Sequence, residues 1–306
     1  MAKRLLDCFA SDIAKFTKAD LLSSIAKSEG RVLAAETIGT VMPMLADVTN
    51  AEFAAAMGAD ILLLNMFDVN KPIINGLKCD NSADTVRELK RLTGRVIGIN
   101  LEPVPENAAT ETAPMWAITD GRRATAENAI KAADMGVNMI LLTGNPGMGV
   151  TNEAILSALR NLHEAVGERV VLAAGKMHAS GALRGAKPIL TADEVKQFVA
   201  AGADILLVPA PGTVPGMTQE AAKQLADAAH ENGALAMTTI GTSQEGADTQ
   251  TIRSIALMCK MAGADIHHIG DTGYGGVALP ENITAYSVAI RGIRHTYHRM
   301  AASVNR

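Results

Sequence analysis

A chain of 306 residues exceeds an ordinary domain of ~100 to 200, yet an α/β barrel of ~250 with additions holds it as one unit. Hydrophobic residues make up 48% and charged residues 20%, which excludes general disorder. The net charge is −4 with scattered Lys and Arg, and no run of ~20 apolar residues occurs, so neither nucleic acid nor a membrane is an expected partner. The opening MAKRLLDCFASD lacks the apolar stretch of an export signal. Cys8, Cys79 and Cys259 form an odd, widely spaced trio without a CxxC, as expected of reduced thiols in a cytoplasmic protein.

In chain order, residues 1–30 read as an N-terminal helical extension and residues 31–306 as a barrel domain. Eight apolar segments follow: GRVLAAETIG from Gly30, MGADILLLN from Met57, GRVIGINLEP from Gly94, MGVNMILLTG from Met135, ERVVLAAGKM from Glu168, AGADILLVPA from Ala201, GALAMTTIGT from Gly233 and AGADIHHIGD from Ala262. The even-numbered ones repeat a single phrase, in which a glycine ends a helix in a left-handed turn and an Asp or Asn precedes a strand buried on both faces. Helices are expected over 82–93, 125–135, 151–166, 191–201, 218–232, 249–262 and 281–302; Thr191 to Glu194 (TADE) is a capping box. Strict alternation of eight strands with helices predicts a single (β/α)8 TIM barrel rather than an open sheet. Long segments after strand two (65–81) and strand three (101–123, with Trp116) suit lids or packed insertions.

Barrels of this type carry their reactive groups at the C-terminal ends of the strands, and side chains alternate along a strand. Counted from the Arg of each odd repeat, Glu36, Asn100, Glu102, Lys176 and His178 share one parity; in the even repeats Asn65, Thr143 and His268 share another, and His267 faces the helices. The mouth is thus expected to collect Glu36, Glu102, Lys176 and His178 as catalytic candidates. Asn65, Asn100, Thr143 and His268 are expected as substrate-positioning groups. Lone buried carboxylates are costly, which favours a role for Glu36 in proton transfer over a filler one.

The loops after strands seven and eight are glycine-rich, IGTSQEGADT and IGDTGYGG. Their glycines let backbone amides close on an anion, so Gly241, Thr242, Ser243, Gly270, Asp271, Thr272, Gly273, Gly275 and Gly276 form a candidate phosphate cradle, with the carboxylate of Asp271 out of character there. GNPGMG after strand four matches neither GxGxxG nor GxxxxGK[ST], and reads as a turn or second anion contact.

These two loops resemble those of the phosphate-binding TIM-barrel superfamily, over a layout from Gly30 to the C-terminus. The opening RLLDCFAS with SEGRVLAAE also resembles an uncharacterised bacterial barrel family. The superfamily resemblance implies phosphate contacts from Gly241, Thr242, Gly270 and Gly273. The expectation is an enzyme, a lyase or isomerase, acting on a small phosphorylated carbonyl metabolite near a protonated Lys176, with Glu36 or Glu102 moving the proton. A Schiff-base role for Lys176 is disfavoured, because neighbouring carboxylates raise an amine pKa and barrel aldolases usually carry that lysine on strand six. Alternatives are metal-assisted hydrolysis, with Glu36, Glu102, His178 and His268 around a divalent ion although no HxH, HExxH or clustered DxD is present, and a non-catalytic sugar-phosphate-binding regulator. No cofactor is required by the sequence, FMN is a lesser option, and a homo-oligomer is admitted.

Overall fold

The computed structural model describes residues 3–104, 117–144, 150–178 and 188–306, and of Tyr274 only the backbone. Trp116 and the GNPGMG glycines at 147 and 149 lie outside these residues. Eight parallel strands close into a barrel in sequential order: β1 (Val32–Ile38), β2 (Ile61–Asn65), β3 (Val96–Leu101), β4 (Met139–Leu142), β5 (Val171–Gly175), β6 (Ile205–Pro209), β7 (Leu235–Ile240) and β8 (Ile266–Ile269). The single (β/α)8 TIM barrel read from the alternation is the fold observed.

The repeated phrase has a structural cause. Its Asp or Asn takes a hydrogen bond from the backbone N–H of the preceding odd strand: Leu33 N–H to Asp60 at 2.9 Å, Ile97 to Asn138 at 3.2 Å, Leu172 to Asp204 at 2.8 Å and Ala236 to Asp265 at 2.9 Å. Each of these residues also donates its own N–H back to the same strand residue's carbonyl. The four polar residues therefore staple the strands in pairs at the barrel's base. The glycines before them, Gly58, Gly136, Gly202 and Gly263, all hold φ near +100° (93° to 110°), where other residues are strained.

The helices are α1 (Ala10–Ile13), α2 (Lys18–Ala26), α3 (Asn50–Ala56), α4 (Thr85–Thr93), α5 (Ala126–Met135), α6 (Asn152–Val166), α7 (Ala192–Ala200), α8 (Gln219–Glu231), α9 (Thr249–Met261) and α10 (Pro280–Ala301). Their N-caps are mostly Thr, as expected where a hydroxyl can accept an orphan amide. The N-terminal extension consists of a 3-10 turn and two short helices, and α3, the helix that leads into the first copy of the repeated phrase, opens on a capping box of Thr49 and Glu52. One expectation needs correction: the final helix, α10, is interrupted at Gly292, whose φ of 75° is not helical.

Two apolar clusters fill the molecule. One lies between strands and helices; the other is the barrel interior, where Val32, Ala34, Ile61, Leu63, Val96, Met139, Leu141, Val171, Ala173, Ile205, Leu207, Met237 and Ile266 point inward. Leu5, Cys8, Ile13, Leu21 and Ile25 from the N-terminal segment join the interior cluster. They stopper the base of the barrel.

Candidate active site

The inward positions continue upward from the apolar interior and turn polar at the mouth. Glu36 on β1, Asn65 ending β2, Asn100 on β3, Thr143 just past β4 and His268 on β8 all follow the interior parity. The first three join Asp271 in one hydrogen-bonded chain. Asn100 Nδ2 donates to Glu36 Oε1 at 2.7 Å and to Asn65 Oδ1 at 3.2 Å, and Asn65 Nδ2 donates to Asp271 Oδ2 at 2.8 Å. His268 Nε2 stands 3.4 Å from Glu36 Oε2, an ion-pair distance whose angles make no hydrogen bond, so the contact is electrostatic. His267 faces the helices, 3.0 Å from the Gly30 carbonyl and with its ring tilted 57° to that of Tyr286.

Burial acts on three of the carboxyls here, those of Asp271, Glu245 and Glu102. Burial pushes Asp271 up to about 7, the neighbouring Glu36 adds to the shift, and the Asn65 and Gly273 donors oppose it. Burial also raises Glu245, in the 3-10 turn Gln244–Gly246 after β7, and raises Glu102 against the pull of Arg122. Arg122 and Glu102 form a buried ion pair where the loop after β3 returns to the strand, with Glu102 N–H donating to the Arg122 carbonyl at 2.8 Å. Burial lowers His178, and the charge of Glu36 pulls it back up, so that imidazole lies within electrostatic reach of the mouth.

Glu245 and Arg122 are site residues that sequence reasoning missed. Both sit in loops, where no periodicity marks an inward face.

On β5 the expected parity needs correction. Val171, Ala173 and Gly175 point inward, whereas counting from Arg169 selects the opposite face. The base staple shows why: Leu172, not Val171, is the partner of Asp204 as Leu33 is of Asp60, so an extra residue, Val170, separates Arg169 from the strand. Gly175 thus occupies the level of Glu36 and Asn100. Lys176 falls off the inward parity, half-buried at the end of β5, and its charge acts on Glu153 in the first turn of α6, behind that residue's own hydrogen bonds. Among the described residues, the carboxyl network does not include Lys176.

The glycine-rich loops are built from internal bonds. Four amides of the candidate cradle already donate within the chain: Gly270 to Ile240 O at 2.9 Å, Gly273 to Asp271 Oδ1 at 2.8 Å, Gly275 to Thr272 O at 3.3 Å and Gly276 to Gly273 O at 2.9 Å. Gly276 also accepts from Ile38 N–H at 2.9 Å and holds φ +70°. A Cβ there would lie 2.2 Å from Val41, so this glycine latches the β8 loop onto β1. Thr242 Oγ1 sits 2.7 Å from the Thr213 carbonyl and 2.6 Å from Gln244 Oε1, and Ser243 turns the chain at φ +81°. Thr272 Oγ1 lies 2.6 Å from the Val277 carbonyl.

Among the described residues, no group of three or more His, Cys, Asp or Glu side chains is placed to hold a metal ion. No helix among them is long and apolar enough to cross a membrane.

The architecture places the molecule among TIM-barrel proteins with a polar, acid-rich mouth. The chain belongs to the family described as Domain of unknown function (DUF7916), whose model matches residues 6–306. No curated protein matches it. Among solved structures, it is similar to a provisionally named lyase/mutase from Burkholderia cenocepacia J2315, with 16% identity and a TM-score of 0.51 over 84% of this chain and 83% of that one. It is also similar to the carboxyl transferase domain of Rhizobium etli pyruvate carboxylase in a structure with pyruvate, with 14% identity and a TM-score of 0.53 over 96% of this chain and 53% of that one. At these identities the likenesses show the barrel fold.

Proposed function

We propose that the chain is an enzyme that moves protons on a small carbonyl compound, as an isomerase or lyase, with Asp271 as its acid and Glu36 as its base. The observation that carries this reading is the chain of hydrogen bonds from Glu36 through Asn100 and Asn65 to Asp271, which orients two buried carboxyls across the mouth. Asn side chains cannot titrate near neutrality, so they fix geometry without competing for the proton. Asp271 keeps its proton up to about pH 7 and suits the general acid. Glu36, whose Oε1 accepts from Asn100, suits the base that takes a proton from the carbon beside a carbonyl. His268 and His178 stand where charge developing during the transfer is felt.

Phosphate on the substrate receives less support than proton transfer. Four cradle amides are spent on bonds within the chain, and Asp271 and Glu245 occupy the same loops. Lys176 likewise moves from the expected centre of the site to its edge.

The test is hydrogen exchange in D2O, followed by NMR, on a panel of 2-keto acids and α-hydroxy ketones, each with and without a phosphate ester. Deuterium is expected at the carbon beside the carbonyl of at least one compound. Exchange should fall ~100-fold or more in Glu36→Gln and in Asp271→Asn. Exchange that survives in both variants, or that no compound of the panel shows, removes the reading. A strict need for the ester would restore the phosphate.

A further inference from the structure

At the end of the barrel opposite the mouth, a cleft of about 460 Å³ opens between α1, the C-terminal end of α4 and residues 304–306. Its lining includes Arg87, Lys90, Arg91 and Arg95, and no Asp or Glu. Arg87 and Arg91 have carboxylates just outside it, Asp84 at 2.7 Å and Glu88 at 2.6 Å. Lys90 and Arg95 do not: Lys90 Nζ donates to the Gly136 carbonyl, and Arg95 donates at 2.9 Å to the carbonyls of Ala59 and Arg299.

Two cations are thus desolvated and satisfied by neutral acceptors only. Burial, helped by Arg87, pushes the Lys90 ammonium down to about 8, and burial with Arg299 pushes Arg95 down to about 10. At Arg95 burial and the charge of Arg299 outweigh the pull of Asp60, and at Lys90 burial and Arg87 act together. The surroundings deepen the excess, because Asp60 is shared by Arg291 and Arg299 and Arg95 lies in the same field. The walls are fixed: Gly94 meets α1 so closely that a Cβ would lie 2.8 Å from the Ala10 Cβ.

We propose that this cleft binds a small phosphate-bearing anion, independently of the chemistry at the mouth. Guanidinium forks and an ammonium around one cavity match the oxygens of a phosphate. The volume falls within the ~300 to 1,000 Å³ of small-molecule pockets, which suits a pyrophosphate or a phosphate ester rather than a polymer. The acid-rich mouth, at the far end of the barrel, does not oppose an anion here.

Titration calorimetry at matched ionic strength, with pyrophosphate and with a sugar monophosphate as probes, tests it. Binding of at least one probe is expected. Lys90→Met, which keeps most of the aliphatic stem, should weaken it about tenfold or more, as should Arg91→Gln at an exposed position that does not carry the fold. The tighter probe identifies the source of the phosphate. Glu36→Gln should leave the affinity unchanged, even if the proton-transfer reading itself fails. Absence of binding by both probes overturns the proposal, as does affinity that is retained in both cleft variants or lost in Glu36→Gln. If Lys90→Met does not fold, Arg91→Gln decides alone.

Discussion

Asp271 couples the chemistry of the mouth to the stability of the protein. Folded, it holds its proton up to about pH 7; unfolded, it releases it near its ordinary 3.8. Between those values the native state binds more protons than the unfolded one, so this group's contribution to stability is full below 3.8, declines as pH rises, and levels off above 7. Asp271→Asn removes the decline. The stability of the variant relative to the parent, from urea denaturation at several pH values, should therefore rise between pH 4 and 7 by up to ~1.4 kcal/mol per unit. A difference independent of pH would show that the carboxyl ionises normally. This residue was legible in the sequence only as an oddity, an acid inside a supposed anion cradle. Glu36, Asn65, Asn100 and His268 were legible because strand alternation projects them onto one face. Lys176 was misassigned because Arg169 is one residue further from its strand than Arg31 and Arg95 are from theirs, and a count from the arginine cannot see that insertion. Glu245 and Arg122 belong to loops, whose side-chain directions are set by tertiary packing.

The strand pairs depend on the staple at the start of each even strand, and the repeat supplies its own control. Asn138 performs the same task as Asp60, Asp204 and Asp265, accepting from Ile97 N–H through an amide oxygen. A carboxylate is therefore unnecessary where the only duty is to accept that bond. Asp204 also pairs with Lys18 Nζ at 2.8 Å, a partly exposed contact of small worth. Asp204→Asn should cost under ~1 kcal/mol, whereas Asp204→Ala, which leaves the Leu172 N–H without its side-chain acceptor, should cost ~1 to 3 kcal/mol. Chemical denaturation of the two variants measures the difference; equal costs would mean that the staple is incidental. The repeated phrase made the elements legible for the same reason, since glycine, Asx and an apolar run encode a helix stop, a staple and a buried strand in succession. The break in α10 was not legible, because a single glycine in a helical pattern does not declare its φ.

At the scale of the whole barrel, the hydrogen-bonded carboxyls of the mouth lie at one end and a buried cluster of arginines around Asp60 lies at the other. Closure was legible from eight alternating units, but the basal cluster was not, because it joins Asp60 and Arg95 to Arg291 and Arg299 across some 200 residues of sequence. Asp60 Oδ2 lies 2.5 Å from Arg291 Nη1, and Oδ1 lies 2.7 Å from Arg299 Nε, which ties the two halves of α10 to the start of β2. Burial acts to raise the Asp60 pKa, yet Arg291 and Arg299 outweigh it and hold the group below 3.8. Its stabilising contribution is present above that value and is lost as pH falls through the lower folded one, opposite in sense to Asp271. Asp60→Asn preserves an acceptor for Leu33 N–H, as Asn138 does in its own repeat, but removes the carboxylate whose charge acts on three buried guanidiniums. The substitution that is nearly silent at Asp204 should therefore cost ~3 to 5 kcal/mol here, a large part of the ~5 to 15 kcal/mol that holds a typical domain folded. Urea denaturation of Asp60→Asn beside Asp204→Asn makes the comparison. Adding Arg291→Met to Asp60→Asn should recover part of the loss, because one uncompensated charge leaves with it. A double variant less stable than Asp60→Asn would mean that Arg291 holds α10 by packing and carbonyl bonds rather than through Asp60.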